Sequence, residues 1–367
     1  MQLFIGIMSG TSLDGIDVAL CAFEDAAVEK TDCQLLATQF SPYPAGIKLA
    51  LLALHNPNNN ELEASILLGN LLAGLYADAV NELLTAAKKN AKDITAIGCH
   101  GQTIRHRPEL GFTLQIGNAA LLAELTNISV VSDFRSRDIA AGGQGAPLVP
   151  AFHKAQFSDS HKNRAIVNIG GIANITYLAT NSDVLGFDSG PGNMLIDSCV
   201  KQHLNQDFDA DGAWAATGVV LDSLLFNMLA EPYFALPPPK STGRDLFNDN
   251  WLKQHLLYPH LRPQDVVRTL TALTAQSIYD ALKECGDVDE IYICGGGAHN
   301  RLLIADLQTL LDKTPVYTTK TLGIDVDWVE AVAFAWLAKQ TIENKPSNLP
   351  LVTGAKGLRV LGAIHPA

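Results

Sequence analysis

Apolar residues fill positions 2–8 and 16–24 almost without a break, and the segment between them carries Asp14-Gly15. Asp-Gly between two apolar runs is a hairpin signal, so the pattern predicts two strands joined by a tight loop. A third strand is expected at 33–40. From 61 to 89 the period lengthens, with Leu62, Ile66, Leu72, Tyr76, Val80, Leu83 and Ala87 at helical spacing. Strands follow at 95–99 and 112–116, then a helix at 118–126. The pattern then restarts. Residues 164–170 and 172–178 read as a second hairpin and 184–188 as a further strand. Helices are expected at 193–204, 218–229, 245–256 and 264–284, a strand at 290–294, a helix from about 300 and a last helix over 328–343. Pro237-Pro238-Pro239 reads as a rigid loop, not a domain linker. Two halves that each open with a glycine-bearing hairpin suggest a duplicated α/β unit. The expected division is 1–130 and 131–349, with the Pro/Gly-punctuated tail from about 350 to 367 packing back on the first domain.

Composition narrows the class. With 367 residues, 47% hydrophobic and 17% charged, the chain can bury one large or two medium cores. A net charge of −12 argues against a nucleic-acid partner, which needs a basic face. The six cysteines are scattered with no C-x-x-C pair, so neither a disulfide framework nor a cysteine metal site is expected. Met1–Ile5 has no basic run before its apolar residues. The apolar stretch 64–80 is broken by Gly69, Asn70, Gly74 and Asp78, which makes it a packed helix and not a membrane span. The expectation is a cytoplasmic protein without membrane or nucleic-acid partners.

Candidate chemistry gathers in three glycine-rich loops, each just after a strand: 5–17, 168–174 and 293–300. Glycine lets backbone N–H groups close on phosphates, and successive N–H groups make an anion-binding concavity. Together the loops suggest a nucleotide clamped between two related domains. The first, Ser9 to Asp17, adds the hydroxyls of Thr11 and Ser12 and the carboxylates of Asp14 and Asp17. Such carboxylates hold Mg²⁺ directly or through water. The plain alternative is a hairpin turn. Asp188, at a strand end before Gly190-Pro191-Gly192, is placed for a general base, the alternative being a helix cap. Segments 98–106, 115–118 and 132–138 offer hydrogen-bonding groups for a sugar or carboxylate. Among them, Arg135 or Arg137 suits a bidentate carboxylate contact, unless both pair internally with Asp133 and Asp138. His100 also reads as a hydrogen-bonded core histidine. Glu330 reads either as lining the site beside Asp188 or as closing a capping box with Asp327. Gly295, Gly296 and Gly297 read as a bare turn or as a flat seat for adenine and ribose, with His299 or Asn300 nearby. There is no G-x-x-x-x-G-K-[ST], G-x-G-x-x-G, H-E-x-x-H or G-x-S-x-G motif.

These segments carry a family resemblance. The runs G-x-M-S-G-T-S-x-D-G-x-D (Gly6–Asp17), C-H-G-Q-T (Cys99–Thr103), S-D-F-R-x-x-D (Ser132–Asp138) and G-G-Q-G-A-P (Gly142–Pro147) come first. N-I-G-G-I-A-N, G-F-D-x-G-P-G-N and D-W-x-E-A-x-A-F-A-W follow in order. The chain resembles the anhydro-N-acetylmuramic acid kinases, of the superfamily of sugar kinases, heat-shock chaperones and actin. Position 189 is Ser where that family often has Thr, which keeps the hydroxyl. The resemblance implies an α/β fold of two RNase H-like domains with a nucleotide cleft between them, working as a homodimer. It implies ATP and Mg²⁺, and conversion of 1,6-anhydro-N-acetylmuramic acid plus water to N-acetylmuramic acid 6-phosphate in cell-wall recycling. Carried over by residue, Asp188 would be the base, with Glu330 assisting at the water. Gly10, Thr11, Ser12, Leu13, Asp14, Gly15, Ile16 and Asp17, with Asn168, Gly170, Gly171, Gly295–Gly297 and Asn300, would bind ATP. Asp14 and Asp17 would reach Mg²⁺ through water. His100, Gln102, Gln115, Arg135, Ser189 and Gly190 would meet the sugar. The competing readings are an ordinary sugar kinase of this fold, a non-catalytic ATP-switched binding or filament protein, and a glycosidase with paired carboxylates. The last leaves the three glycine loops unexplained.

Overall fold

In the computed structural model, which describes residues 1–10, 13–24, 32–55, 60–181, 183–256 and 260–367, the opening apolar run is a strand buried on both faces. Phe4, Ile5 and Ile7 have no exposed surface, as a central strand requires. Strand β1 (Gln2–Met8) pairs antiparallel with β2 (Gly15–Glu24), and β2 with β3 (Asp32–Pro42). Helices α1 (Ala45–Leu54) and α2 (Glu61–Ala87) lead to β4 (Ile94–Cys99), parallel to β1. A separate hairpin, β5 (Gln102–Arg107) and β6 (Phe112–Ile116), is followed by α3 (Ala119–Thr126). Strand β7 (Val130–Ser132) lies parallel to β4 and precedes α4 (Ser136–Ala140) and α5 (Val149–Phe157).

The same course repeats. Strands β8 (Arg164–Ile169), β9 (Ile172–Leu178) and β10 (Val184–Pro191) form a second antiparallel meander. Helices α6 (Met194–Leu204), α7 (Asp222–Leu229), α8 (Asp249–His255) and α9 (Pro263–Lys283) come next. Then β11 (Glu290–Cys294) adds parallel to β8, α10 (Arg301–Leu311) follows, and β12 (Val316–Thr318) adds parallel to β11. The chain ends with α11 (Val329–Ile342) and β13 (Ala363–His365), antiparallel to β7.

The two main sheets have one topology. Their orders are β3-β2-β1-β4-β7, with β13 beyond β7, and β10-β9-β8-β11-β12. In each, strands one to three are an antiparallel meander and strands four and five run parallel to the first. The fold is therefore α/β and duplicated, with the RNase H-like strand order in both copies.

Contacts divide the chain into Met1–Gln156 with Trp328–Ala367, and Phe157–Asp327. This differs from the expected 1–130 and 131–349. Helix α11 and everything after it belong with the first unit because α11 lies on β1 and β4, a long-range contact that sequence order hides.

Local expectations also shift. On α2 the core face is Leu68, Leu72, Tyr76, Val80 and Leu83. Leu62 and Ile66 are 72% and 58% exposed, so the predicted stripe began off the buried face. The helix expected at 218–229 starts only at Asp222. The one expected at 245–256 starts at Asp249, where the Asn248 side chain accepts the N–H groups of Asn250 and Trp251 and stops the helix from extending backwards. No single helix among the described residues is long and apolar enough to cross a membrane.

The tightest packing is between α11 and its sheet. A Cβ added at Gly6 would lie 1.8 Å from the Ala331 carbonyl oxygen, and one at Gly98 would lie 2.0 Å from that of Phe334. Both obstacles are backbone atoms of a helix and cannot rotate away. Gly98→Ala is therefore expected to destabilise the protein at the upper end of overpacking costs, about 3 kcal/mol. Urea unfolding checks this, and an unchanged midpoint and slope would contradict the close approach.

Candidate active site

In the first unit, parallel strands β1, β4 and β7 deliver their carboxyl ends to one edge of the sheet, the usual place for ligands in such folds. β1 runs into Ser9-Gly10, β4 into His100-Gly101, and β7 into Asp133–Arg135. The glycine loop is braced from below. Ser9 Oγ lies 2.9 Å from Tyr76 Oη and donates to Gly101 O at 2.9 Å. Gln102, with no exposed surface, donates from Nε2 to Gly10 O at 3.1 Å and accepts from Tyr43 Oη at 3.4 Å. Its carboxamide is thus engaged on the loop through its oxygen and one of its two N–H groups. Leu13 and Ile16 are buried in the core and anchor the loop, leaving only their backbone for a ligand. Asp14 is exposed and its Oδ1 accepts the Gly15 N–H at 2.9 Å. Asp17 sits within β2, opposite Met8 and Phe40. Thr11 and Ser12 lie outside the described residues.

Arg135 donates from Nη2 and Nε to His100 Nε2 at 2.9 and 3.3 Å, and from Nη1 to Gly145 O at 2.8 Å. Internal pairing with Asp133 or Asp138 is not found. Asp138 is fully buried and accepts from Gly145 N–H, Asn348 and Thr353, each at 2.8 Å. Asp133 accepts from Ser136 Oγ at 2.6 Å. Burial pulls the Arg135 guanidinium down to about 10, against the opposing charge of Glu330. Glu330 stands in the first turn of α11, where a carboxylate meets the positive end of the helix. Burial holds its carboxyl above the usual range, with Arg135 lowering it and Asp14 raising it. The capping-box reading fails, because Asp327 accepts instead from His299 Nε2 at 2.8 Å and the residue at the helix start is Trp328. Beside this cluster is a cavity of about 280 Å³ lined by residues including His100, Gln115, Ser132, Asp133 and His365. Gln115 is held there by Nε2 donation to Thr113 and Thr103 hydroxyls at 2.7 and 3.1 Å.

In the second unit, Asp188 sits where β10 breaks register with β9. Asp188 faces Asn174, Gly190 faces Ala173, and Ser189 is the extra residue. A bulge of this kind re-aims a side chain at a strand end. Ser189 is buried and donates to Ala173 O at 3.1 Å, so its hydroxyl serves the bulge. A Cβ at Gly190, with φ of 153°, would lie 2.7 Å from the Phe234 ring. The Asp188 carboxylate accepts the Thr242 N–H on Oδ2 at 3.0 Å. Its backbone is clamped on both sides, N–H to Lys240 O at 3.0 Å and C=O from Tyr233 Oη at 2.7 Å. Burial pushes the Asp188 carboxyl up to about 6, with the Thr242 N–H pulling the other way. The segment Lys240–Thr242 is therefore part of the site, and the sequence reading missed it. The one signal was Lys-Ser-Thr-Gly directly after the proline run, polar groups next to a rigid loop.

The two remaining glycine loops converge in this unit. Gly192 and Asn193 donate backbone N–H to Gly171 O and Gly170 O at 2.9 and 2.8 Å. A Cβ at Gly295 would lie 2.3 Å from Asn168 Oδ1, and one at Gly297 would strike Ile169 at 2.3 Å. Asn168, Gly170, Gly171 and Gly295–Gly297 thus gather at the carboxyl ends of β8 and β11, with Gly296 exposed. Asn300 adjoins them, its backbone N–H donating to Gly297 O at 3.0 Å. It is buried and its Oδ1 caps α10 by accepting from Leu303 N–H at 3.1 Å.

An oriented carboxylate at a strand end, an arginine bonded to a histidine of the cavity wall and glycine loops at matching edges of a duplicated α/β fold are the parts a sugar kinase needs. Comparison with known proteins carries this further: residues 2–367 match the sequence profile described as anhydro-N-acetylmuramic acid kinase. Relatives of that name from Nitrosospira multiformis and Nitrosomonas europaea are 54% and 52% identical, each over 99% of this chain and 99% of their own length. One from Pseudomonas syringae pv. tomato is 50% identical over 99% of both chains. The chain belongs to the anhydro-N-acetylmuramic acid kinase family.

The raised Asp188 carboxyl has a sign that can be checked. Its folded value, about 6, exceeds the ordinary 3.8, so ionised Asp188 costs stability above pH 6 and costs nothing below the unfolded value. Asp188→Asn should therefore gain stability relative to the native protein as pH rises from about 4 to 6, by up to about 3 kcal/mol at 1.36 kcal/mol per unit. Urea unfolding of both proteins across that window measures it. A gap that does not change with pH would mean the carboxyl is not raised.

Proposed function

We propose that this kinase opens 1,6-anhydro-N-acetylmuramic acid with water and phosphorylates the released O6 from ATP, in the recycling of cell-wall sugar. What supports the reading most is Asp188, a carboxylate clamped by Thr242 and raised towards neutrality at the edge of the fold where ligands bind. The bridge makes O6 an ether oxygen, with no proton to lose and little nucleophilicity. Asp188 takes a proton from a water whose oxygen bonds C1, and the C1–O6 bond breaks. The freed O6 bonds the γ-phosphorus and the bond to the ADP oxygen breaks. Positioning and charge neutralisation do most of the work of the phosphoryl transfer itself.

We read the backbone at Gly10 and Asp14–Gly15 as one phosphate seat, and that at Gly170-Gly171 and Gly295–Gly297, within the second unit, as another. Among the described residues no group of three or more His, Cys, Asp or Glu side chains could cage a metal. The charge of Asp14 raises the Glu330 carboxyl, so this edge suits a cation held chiefly by phosphates and, through water, by Asp14 and Asp17. Mg²⁺ there would neutralise phosphate charge. Gln115, in the wall of the cavity beside β4 and β7, and Arg135, bonded to His100 of that wall, meet the sugar, with Glu330 assisting at the water. The reaction is placed in the cytoplasm and in a homodimer, and light scattering that returns the mass of one chain would remove the dimer.

Mass spectrometry of product formed in H₂¹⁸O, sampled before C1 exchanges label by ring opening, tests the chemistry. The expected product is a 6-phosphate with ¹⁸O at C1, and free N-acetylmuramic acid is not phosphorylated under the same conditions. Label absent from C1 would turn the protein into an ordinary sugar kinase. Asp188→Asn should bind ATP and lose about 10²–10⁴-fold in turnover, the usual worth of a general base. The acid limb of kcat/KM should fall near pH 6, since the base must be ionised. Near-normal turnover in Asp188→Asn would take the base role away.

A further inference from the structure

His100 lines the cavity beside the sugar candidates, yet its ring has nothing left to offer a ligand. Arginine carries only donors, so Nε2, which receives Nη2 and Nε of Arg135 at 2.9 and 3.3 Å, must be an unprotonated acceptor. The ring proton then sits on Nδ1, 3.3 Å from Ser9 O. The ring plane is held by Phe334, at 4.8 Å between centroids, and Phe334 in turn packs on Phe134 at 5.5 Å. Only 6% of His100 is exposed.

We propose that His100 is a positioning residue, which fixes the Arg135 guanidinium for an anionic group of the sugar and ties it to the backbone entering the Gly10 loop. The inference rests on Arg135 meeting the sugar. Of the five guanidinium N–H groups, Nε and one on Nη2 go to His100 and one on Nη1 goes to Gly145 O. The remaining two, one on each Nη, form the end-on fork that matches a carboxylate, which the lactyl ether of a muramic acid provides. A neutral acceptor suits this task better than Asp or Glu. A carboxylate at position 100 would orient the arginine but also cancel its charge and repel the anionic substrate. Burial and the Arg135 charge push the His100 ring down to about 3, so it remains an acceptor wherever the enzyme works. The Nδ1 end has a second consequence. Ser9 O leads directly into Gly10, so one ring sets both the sugar anchor and the start of a phosphate seat.

Two amide variants separate the two ends of the ring. His100→Asn reaches only the Nδ1 position and loses the acceptor for Arg135. His100→Gln reaches the Nε2 position and keeps it. His100→Asn is expected to raise KM for the anhydro sugar about ten-fold, a loss typical of one hydrogen bond to a charged group, with KM for ATP changed much less. His100→Gln should recover a substantial part of that loss. The decisive measurement is a double-mutant cycle with Arg135→Lys, whose single ammonium has no fork to orient. In that background His100→Asn should cost less than about two-fold, because coupled residues are not additive. Thermal unfolding of all variants accompanies the kinetics. Losses that multiply independently, or equal losses for Asn and Gln, would show that His100 serves packing alone and overturn the proposal. Arg135→Lys with unaltered sugar KM would instead remove Arg135 from the sugar site, and the present inference with it.

Discussion

The close seating of α11 on β1 and β4 is the contact on which the first unit depends. Gly6 and Gly98 leave no room for a side chain between sheet and helix, and Ala331, Ala333, Ala335 and Ala338 are all buried on α11. Small residues on both surfaces let backbones approach to a distance that larger ones would forbid. That contact brings a helix from the far end of the chain against the first strand. It also fixes the axis of α11, whose first turn carries Glu330 to the edge where Gly10, His100 and Arg135 meet. Phe334, one turn further on, sets the His100 ring. The position of one carboxylate and the orientation of one arginine thus both follow from two glycines in the sheet.

This contact explains what the amino-acid pattern could and could not disclose. Strands β1, β2, β4, β8, β9 and β11 have long apolar runs, and hairpin or glycine punctuation marks their ends, so periodicity finds them. Strands β7, β12 and β13 are three residues each, too short to carry a period. They exist because a neighbouring strand is already in place to pair with them. Helix α11 is legible as a helix but not as part of the first unit, because its partner surface lies more than 200 residues earlier. The α2 stripe was misjudged for a related reason. Leu62 and Ile66 satisfy the helical period yet face outward, and no local rule says which apolar face of a helix the sheet will cover.

At the site, glycine turns and strand-end carboxylates were legible because their chemistry is local. Asp188 and the loops at 168–174 and 293–300 stand where the pattern put them. What a polar side chain bonds to is not local. Gln102, Ser189 and Asn300 have the residue types of a binding site, but each already bonds the protein: Gly10 and Tyr43, Ala173, and Leu303. Buried polar groups must be paired, and a sequence does not say whether ligand or backbone supplies the partner. Conversely, Lys240–Thr242 has no motif to announce it, and it enters the site only because β10 ends beside it.

The duplicated topology gives these differences an order. Strand one of each sheet runs into a hairpin loop with glycine: Gly10 after β1, and Gly170-Gly171 after β8. Strand four ends in His100-Gly101 after β4 and in Gly295-Gly296-Gly297 after β11. At equivalent places one unit presents a histidine and, from strand five, an arginine; the other presents bare backbone. Bare backbone can approach a flat or phosphorylated ligand closely and reads little of its identity. A guanidinium fork held by a neutral ring reads charge and shape together. On the proposed function, the same strand ends serve two tasks, acceptance of a common nucleotide in one unit and discrimination of an anionic sugar in the other. The proposed base comes from neither of these two positions. It comes from the end of strand three in the second unit, where Asp188 faces Asn174, Ser189 bulges out next to it, and Lys240, Tyr233 and Thr242 hold Asp188 in place. A general base needs a carboxylate within reach of substrate and a fixed direction, and this strand end, held by the Lys240–Thr242 segment, supplies the fixed direction.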